Sequence, residues 1–211
     1  MSVILTKFIS LDGIDGTGKS TQIRVLADWL RAGGEDVVQC SEPGGTPLGD
    51  RLREMLLTHA DAKTAMAEAL LFMASRAELL ERVIRPALAK GSFVLSDRYL
   101  LATIVYQGYG SGLNVDSLWT MGRLATGGLE PELTVVLDLP VEQAQLRRGR
   151  DPDRMESRDR DYHERVRQGF LNEAQRQPER IRVIDASGPV DEIHARICTE
   201  VERVLQSRSR P

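Results

Sequence analysis

The 211-residue sequence predicts an α/β fold, a five-stranded parallel sheet flanked by helices, and three observations point there. Short apolar runs rich in β-formers recur at residues 8–11, 37–38, 93–95, 133–139 and 181–184. The stretches between them are long enough for right-handed crossovers joining parallel strands. Runs such as Thr134-Val135-Val136-Leu137 lack polar–apolar alternation, as strands covered on both faces do. A chain of this length forms a single core, so residues 1–211 read as one domain.

The first strand, 8–11, leads into Gly13-Ile14-Asp15-Gly16-Thr17-Gly18-Lys19-Ser20-Thr21, which fits G-x-x-x-x-G-K-[ST]. Ile23, Leu26 and Leu30 mark the helix after it, and strand–loop–helix is the context this spacing requires. Glycines let successive backbone amides converge on phosphate oxygens, and the helix N-terminus adds its dipole. Lys19 is placed to neutralise β and γ phosphates, and the Ser20 hydroxyl to ligate Mg²⁺.

The second strand runs into Ser41-Glu42-Pro43-Gly44-Gly45-Thr46, at the crevice outside the strand carboxyl ends. Residues 65–88 carry Met66, Ala69, Leu70, Met73, Ala77, Leu80 and Ile84 at helical spacing, with Gly91 as a stop signal. Leu71, Phe72 and Leu79 lie off that stripe, so the helix is apolar on more than one side. Phe72 and Arg76 share one of its faces at i and i+4. The third strand ends in Asp97-Arg98-Tyr99, and Tyr106-Gln107-Gly108 follows one short helix later. After the fourth strand, residues 147–167 are dense in arginine but interleaved with Asp and Glu. They include Arg150-Asp151-Pro152-Asp153-Arg154-Met155-Glu156. Such a segment suits folding over a small polyanion. Helices at 161–177 and 190–205 flank the fifth strand, and 206–211 read as a frayed end.

Charge and composition narrow the function. Lys and Arg number 28 against 31 Asp and Glu, a net −3, which disfavours a general nucleic-acid binder. No stretch reaches the roughly 18 uninterrupted apolar residues of a membrane helix. Cys40 and Cys198 are too few for a disulfide framework or a zinc site, and a reducing cytoplasm is expected. Residues 1–7 run directly into the first strand, so no cleaved leader is expected. The N-K-x-D motif of a GTPase is absent. Asp138-Leu139-Pro140 lacks the paired acids of a motor ATPase. A small kinase remains, with a non-catalytic nucleotide-binding regulator as the reading from another class.

Taken in order, the phosphate loop, E-P-G-G-T, F-x-x-x-R, D-R-Y, Y-Q-G and D-R-M-E make the sequence resemble the bacterial thymidylate kinases, from residue 8 to about 204. The resemblance implies a P-loop three-layer fold of the nucleoside monophosphate kinase type, strand order 2-3-1-4-5, with a lid at about 147–160. It implies phosphorylation of dTMP to dTDP with ATP and Mg²⁺, and a homodimer formed through helices.

Its residue roles carry over position by position. Phe72 resembles the residue that stacks on thymine, and Arg76 the one that hydrogen-bonds a thymine carbonyl. Thr103 and Gln107 match base-pocket positions, and Tyr106 an aromatic that crowds a ribose 2′-hydroxyl. Glu42, Pro43, Arg53 and Arg98 match the acceptor side, with Arg98 holding the dTMP phosphate. Asp15 matches a carboxylate near the substrate sugar and phosphate, while Ser20 and Asp97 are the expected metal positions. Gly16 stands where other family members carry a phosphate-loop arginine. Catalytic charge is therefore expected from Arg150 and Arg154, with Arg147, Arg148 and Arg158 as substitutes. Asp12, Ser41, Leu101 and Ala102 depart from the residues common at their positions.

Overall fold

A computed structural model describes residues 7–58, 63–148 and 154–207. Five parallel strands form one sheet: β1 (Phe8–Asp12), β2 (Val37–Ser41), β3 (Phe93–Asp97), β4 (Leu133–Asp138) and β5 (Ile181–Asp185), in the order β2-β3-β1-β4-β5. The expected fold and strand order are what is found. All residues of β1 are buried, and those of β4 are buried except its last, so both central strands are covered on both faces. The register sets Asp97 beside both Leu11 and Ser41, and Asp12 beside Val136. The carboxyl ends of the three strands β1, β2 and β3 therefore meet at one edge, and the chain's functional loops leave from there.

Local chemistry sets the helix starts. α1 (Lys19–Ala32) opens behind Gly18, which sits at φ 91°. α2 (Pro47–Leu57) has Pro at its first turn and the Thr46 hydroxyl accepting from Gly49 N. α3 (Ala65–Leu79) begins at Thr64, which caps Ala67 N. It runs through a π-helical turn, Leu80–Ile84, into α4 (Arg85–Ala89), so the helix expected at 65–88 is continuous but widened in the middle. Ala69, Met73, Leu80 and Ile84 face the core as the stripe requires. Met66 and Leu70, on the same stripe, are about half exposed, at 45% and 51%.

α5 (Leu100–Thr103) passes into a second π-helical segment, Ile104–Gly110, which carries Tyr106 and Gln107. α6 (Val115–Thr126) is capped by Asn114 and stopped by Gly127 in the left-handed region. α7 (Val141–Arg147) follows β4, α8 (Arg160–Arg176) is capped by Asp159, and α9 (Val190–Ser207) ends the described chain. No helix among the described residues is long and apolar enough to cross a membrane.

Candidate active site

A cavity of about 960 Å³ opens at the carboxyl ends of β1, β2 and β3. Its floor is the phosphate loop. Gly16 (φ 91°) is forced by packing as well as by its turn. A Cβ there would lie 2.0 Å from the Ala144 carbonyl oxygen of α7, so the loop and the helix leading to the arginine segment touch backbone to backbone. An arginine at this position would displace α7, which gives the missing loop arginine a steric reason.

Lys19 is 5% exposed and donates to the Gly13 and Ile14 carbonyls at 3.1 and 2.8 Å. Burial and the neighbouring Arg98 lower its pKa to about 8, against the opposing pull of Asp15, Asp97 and Asp12. Ser20 donates to Asp97 Oδ2 at 2.6 Å, which sets two oxygen ligands side by side for a hard cation. No group of three or more His, Cys, Asp or Glu arranged to hold a metal ion by themselves is found among the described residues. Such a pair fits Mg²⁺ held mainly by nucleotide phosphates and water.

Arg98 occupies the left-handed region at φ 68°, unusual for a side-chain-bearing residue. Its amide donates to Leu11 O at 2.9 Å and its carbonyl accepts from Ser96 Oγ at 2.6 Å, so β1 and β3 hold the turn. The turn aims the guanidinium at Asp15, which it hydrogen-bonds, and Tyr106 donates to the other Asp15 oxygen at 3.2 Å. Burial works against the Asp15 carboxylate, but Arg98 and Lys19 outweigh it and hold its pKa well below the usual range. Beneath this cluster Asp12 is fully buried, and burial raises it to about 6 despite Arg98 and Lys19.

The second half of the cavity is a slot lined by Phe72, Arg76, Thr103 and Gln107. Phe72 is half-buried on its wall. Arg76, 1% exposed, donates through Nε to Glu42 at 2.7 Å and through Nη2 to Tyr99 O and Thr103 Oγ1 at 3.1 and 3.0 Å. Its Nη1 meets the weak acceptor Met73 Sδ at 3.2 Å, which leaves strong donor capacity toward the cavity. Burial pushes Glu42 up to about 7 against the pull of Arg76. Gln107 is fully buried and lines the slot, and neither end of its amide meets a partner among the described residues.

The thymidylate kinase family model matches residues 11–197. The chain belongs to this family. It is 50% identical to a thymidylate kinase of Rhodopirellula baltica over 187 residues, 89% of this chain and 76% of the relative. It is 45% identical to one of Symbiobacterium thermophilum, covering 98% and 97% of the two chains. The solved thymidylate kinase of Ehrlichia chaffeensis superposes with a TM-score of 0.76 at 31% identity, covering 92% of this chain and 97% of that one.

The structure gathers most of the residues the family pattern singles out. Asp15 through Thr21, Glu42, Pro43, Arg53, Phe72, Arg76, Asp97, Arg98, Thr103, Tyr106 and Gln107 all line the one cavity. Glu42 faces it mainly as the pin for Arg76, and the Arg53 guanidinium is tied to Pro43 O at 2.8 Å. Gly13 and Ile14 lie behind, as the carbonyls that hold Lys19. Of the two departures after Asp97-Arg98-Tyr99, Ala102 lines the cavity and Leu101 belongs to the core.

The arginines divide differently from expectation. Arg154 does not reach the cavity. Its Nε donates to Leu56 O at 2.9 Å and its Nη1 to Glu68 at 3.0 Å, because a fully buried carboxylate on α3 offers a stronger acceptor than open solvent. Arg150 lies outside the described residues. Arg147 and Arg148 do line the cavity. Sequence reasoning missed the wall made by Gly188, Pro189, Val190 and Ile193, together with Gln22. A Gly-Pro pair ahead of a helix signals a turn and nothing about a ligand. Arg147 ties this wall to the arginine segment through Ala186 O and Ser187 O at 2.7 and 3.0 Å.

Proposed function

We propose that the chain transfers the γ-phosphoryl group of ATP to dTMP, yielding ADP and dTDP, in the presence of Mg²⁺. The observation that carries the acceptor is the Gln107 amide. A fully buried carboxamide without partners is costly, and here it faces a slot between the Phe72 ring and the spare Arg76 donor. A pyrimidine ring bearing carbonyl and N–H edges satisfies both amide ends while stacking on Phe72.

Arg98 is then the phosphate ligand of dTMP, and on binding exchanges part of its Asp15 pairing for the acceptor phosphate. Tyr106, fixed by Asp15, crowds the sugar and favours deoxyribose. An acceptor phosphate oxygen forms the new bond to the γ-phosphorus while the bond to the bridging oxygen of ADP breaks, with no covalent enzyme intermediate. The protein's part is positioning and charge neutralisation by Lys19, Arg98 and the cavity-lining arginines. Ser20 and Asp97 are the residues that would hold Mg²⁺, whose charge offsets that of the β and γ phosphates. Arg148, which lines the cavity as Arg147 does, and Arg150 are the arginines assigned here to the transferring group.

The exposed Met66 and Leu70 on α3, with Met55 at 51% on α2, suit a homodimer face. Two free cysteines suit a reducing cytoplasm. An ADP-release assay with dTMP, dUMP, dCMP, AMP, CMP and GMP tests the acceptor. Transfer to dTMP should lead, and loss of one buried methyl should place dUMP about five- to tenfold lower. Preference for a purine monophosphate, or no transfer to any acceptor, would overturn the assignment.

A further inference from the structure

Glu68 is fully buried in the first turn of α3 and does not line the cavity. Phe72 and Arg76 follow it at i+4 and i+8, so all three share one helix face. Two arginines from beyond the fourth strand converge on one Glu68 oxygen, Arg154 at 3.0 Å and Arg158 at 3.5 Å. Arg154 N also donates to Leu57 O at 3.4 Å and its Nε to Leu56 O at 2.9 Å, so the contact is a three-point clamp onto α2 and α3.

The clamped segment is the turn 154–157, whose Met155 and Glu156 form part of the cavity wall. The Glu156 carbonyl accepts from Arg148 at 3.5 Å and contacts His163 Nε2 of α8 at 3.1 Å. A chain of contacts thus runs from α3, through Arg154 and the 154–157 turn, to an arginine that faces the phosphate loop's cavity. The helix that carries the slot's Phe72 and Arg76 also anchors the wall that supports Arg148.

We propose that Glu68 is a positioning residue for phosphoryl transfer, holding through Arg154 the 154–157 turn and with it Arg148. The inference rests on the phosphotransfer function proposed above. Glu68 touches neither substrate; it sets where the cationic wall stands. An arginine misplaced by a fraction of an ångström loses its value in the transition state while nucleotides still bind.

The test compares wild type, Glu68→Gln, Arg154→Gln and the double variant, with kcat, KM for dTMP, KM for ATP and melting temperature measured for each. Glu68→Gln should lower kcat about 10–100-fold. Both KM values should stay within about threefold, because the lost interaction matters in the transition state and not in substrate binding. Arg154→Gln should behave alike, and the double variant should be no worse than the poorer single one, since the two residues act as one unit. If Glu68→Gln does not stay folded, Arg154→Gln carries the test, because Arg158 still pairs with Glu68. Folded variants with kcat within about twofold of wild type would overturn the inference, as would a loss confined to KM for dTMP, which would make Glu68 a support of the base slot alone. Wild-type protein without dTMP phosphorylation would instead overturn the functional reading, and this inference with it.

Discussion

The phosphate loop and the arginine segment that follows α7 both present positive charge to one cavity, yet they are built in opposite ways. In the loop the bonds that hold Lys19 and Thr17 are local: Thr17 Oγ1 donates to Ile14 O at 2.9 Å, and Lys19 reaches carbonyls five and six residues back. In the arginine segment no two described arginines share a full set of partners. Arg147 ties to Ala186 and Ser187, Arg148 to Glu156, Arg154 to Leu56 and Glu68, and Arg158 to Glu68. A phosphate loop is specified by backbone conformation, which short-range spacing encodes. An arginine supplies charge and five donors, and its task is set by whichever acceptor the fold brings near.

The largest effect that sharpens this contrast is Lys19→Ala, which should abolish transfer in an ADP-release assay while circular dichroism shows the fold retained. Near-normal turnover would break the loop assignment. Next, Arg148→Ala should lower kcat about 10³-fold, as arginines acting on a transferring phosphoryl group do, while directly measured ATP affinity changes far less. Arg148→Lys should recover little, because a point charge does not reproduce the fork. A kcat held near wild type with only weaker ATP binding would make this segment a binding wall.

Gly16→Ala probes where the two regions touch. Its Cβ would meet the Ala144 backbone, so thermal unfolding should show a loss of about 1–3 kcal/mol together with reduced kcat as α7 shifts. Gly18→Ala, with no atom within 4 Å of a new Cβ, should show only the cost of a left-handed backbone, about 1–2 kcal/mol, and no shift of α7. Equal effects at the two positions would sever the contact from function.

An effect confined to stability lies beneath the loop. Asp12 is raised from 3.8 to about 6, chiefly by burial, so the folded ligand-free protein holds a proton that the unfolded chain releases. Stability should therefore fall as pH rises from about 4 to 6, and Asp12→Asn should remove about 2 kcal/mol of that fall. Parallel stability–pH curves for the two proteins would show that Asp12 does not titrate there.

Much of the site was legible because its residues sit at strand ends. Asp97 ends β3 with Arg98 next, Glu42-Pro43 follows β2, and a parallel sheet places such ends together whatever the loops do. Phe72 and Arg76 were legible through helical spacing. Other features were not, since they are contacts between distant segments. The widening at Leu80–Ile84 leaves no mark in the apolar stripe, and Met66 and Leu70 read as core until the neighbours of α3 are known. The wall at Gly188–Pro189 depends on Arg147, some 40 residues earlier in the chain.

By itself the sequence determined the layer architecture, the phosphate loop and the set of residues around the slot. The first two depend on periodicity, turn chemistry and strand-end geometry, which act over a few residues; the residues of the slot came from the ordered motifs shared with the thymidylate kinases. Tertiary structure alone decided that Arg154 clamps Glu68 instead of lining the cavity, that Gly16 yields its space to α7, and that Asp15 binds Arg98 to Tyr106. Each of those outcomes is a competition among charged or backbone groups far apart in the chain. Such competitions are resolved by distance and burial, and these exist only once the sheet has brought the competitors together.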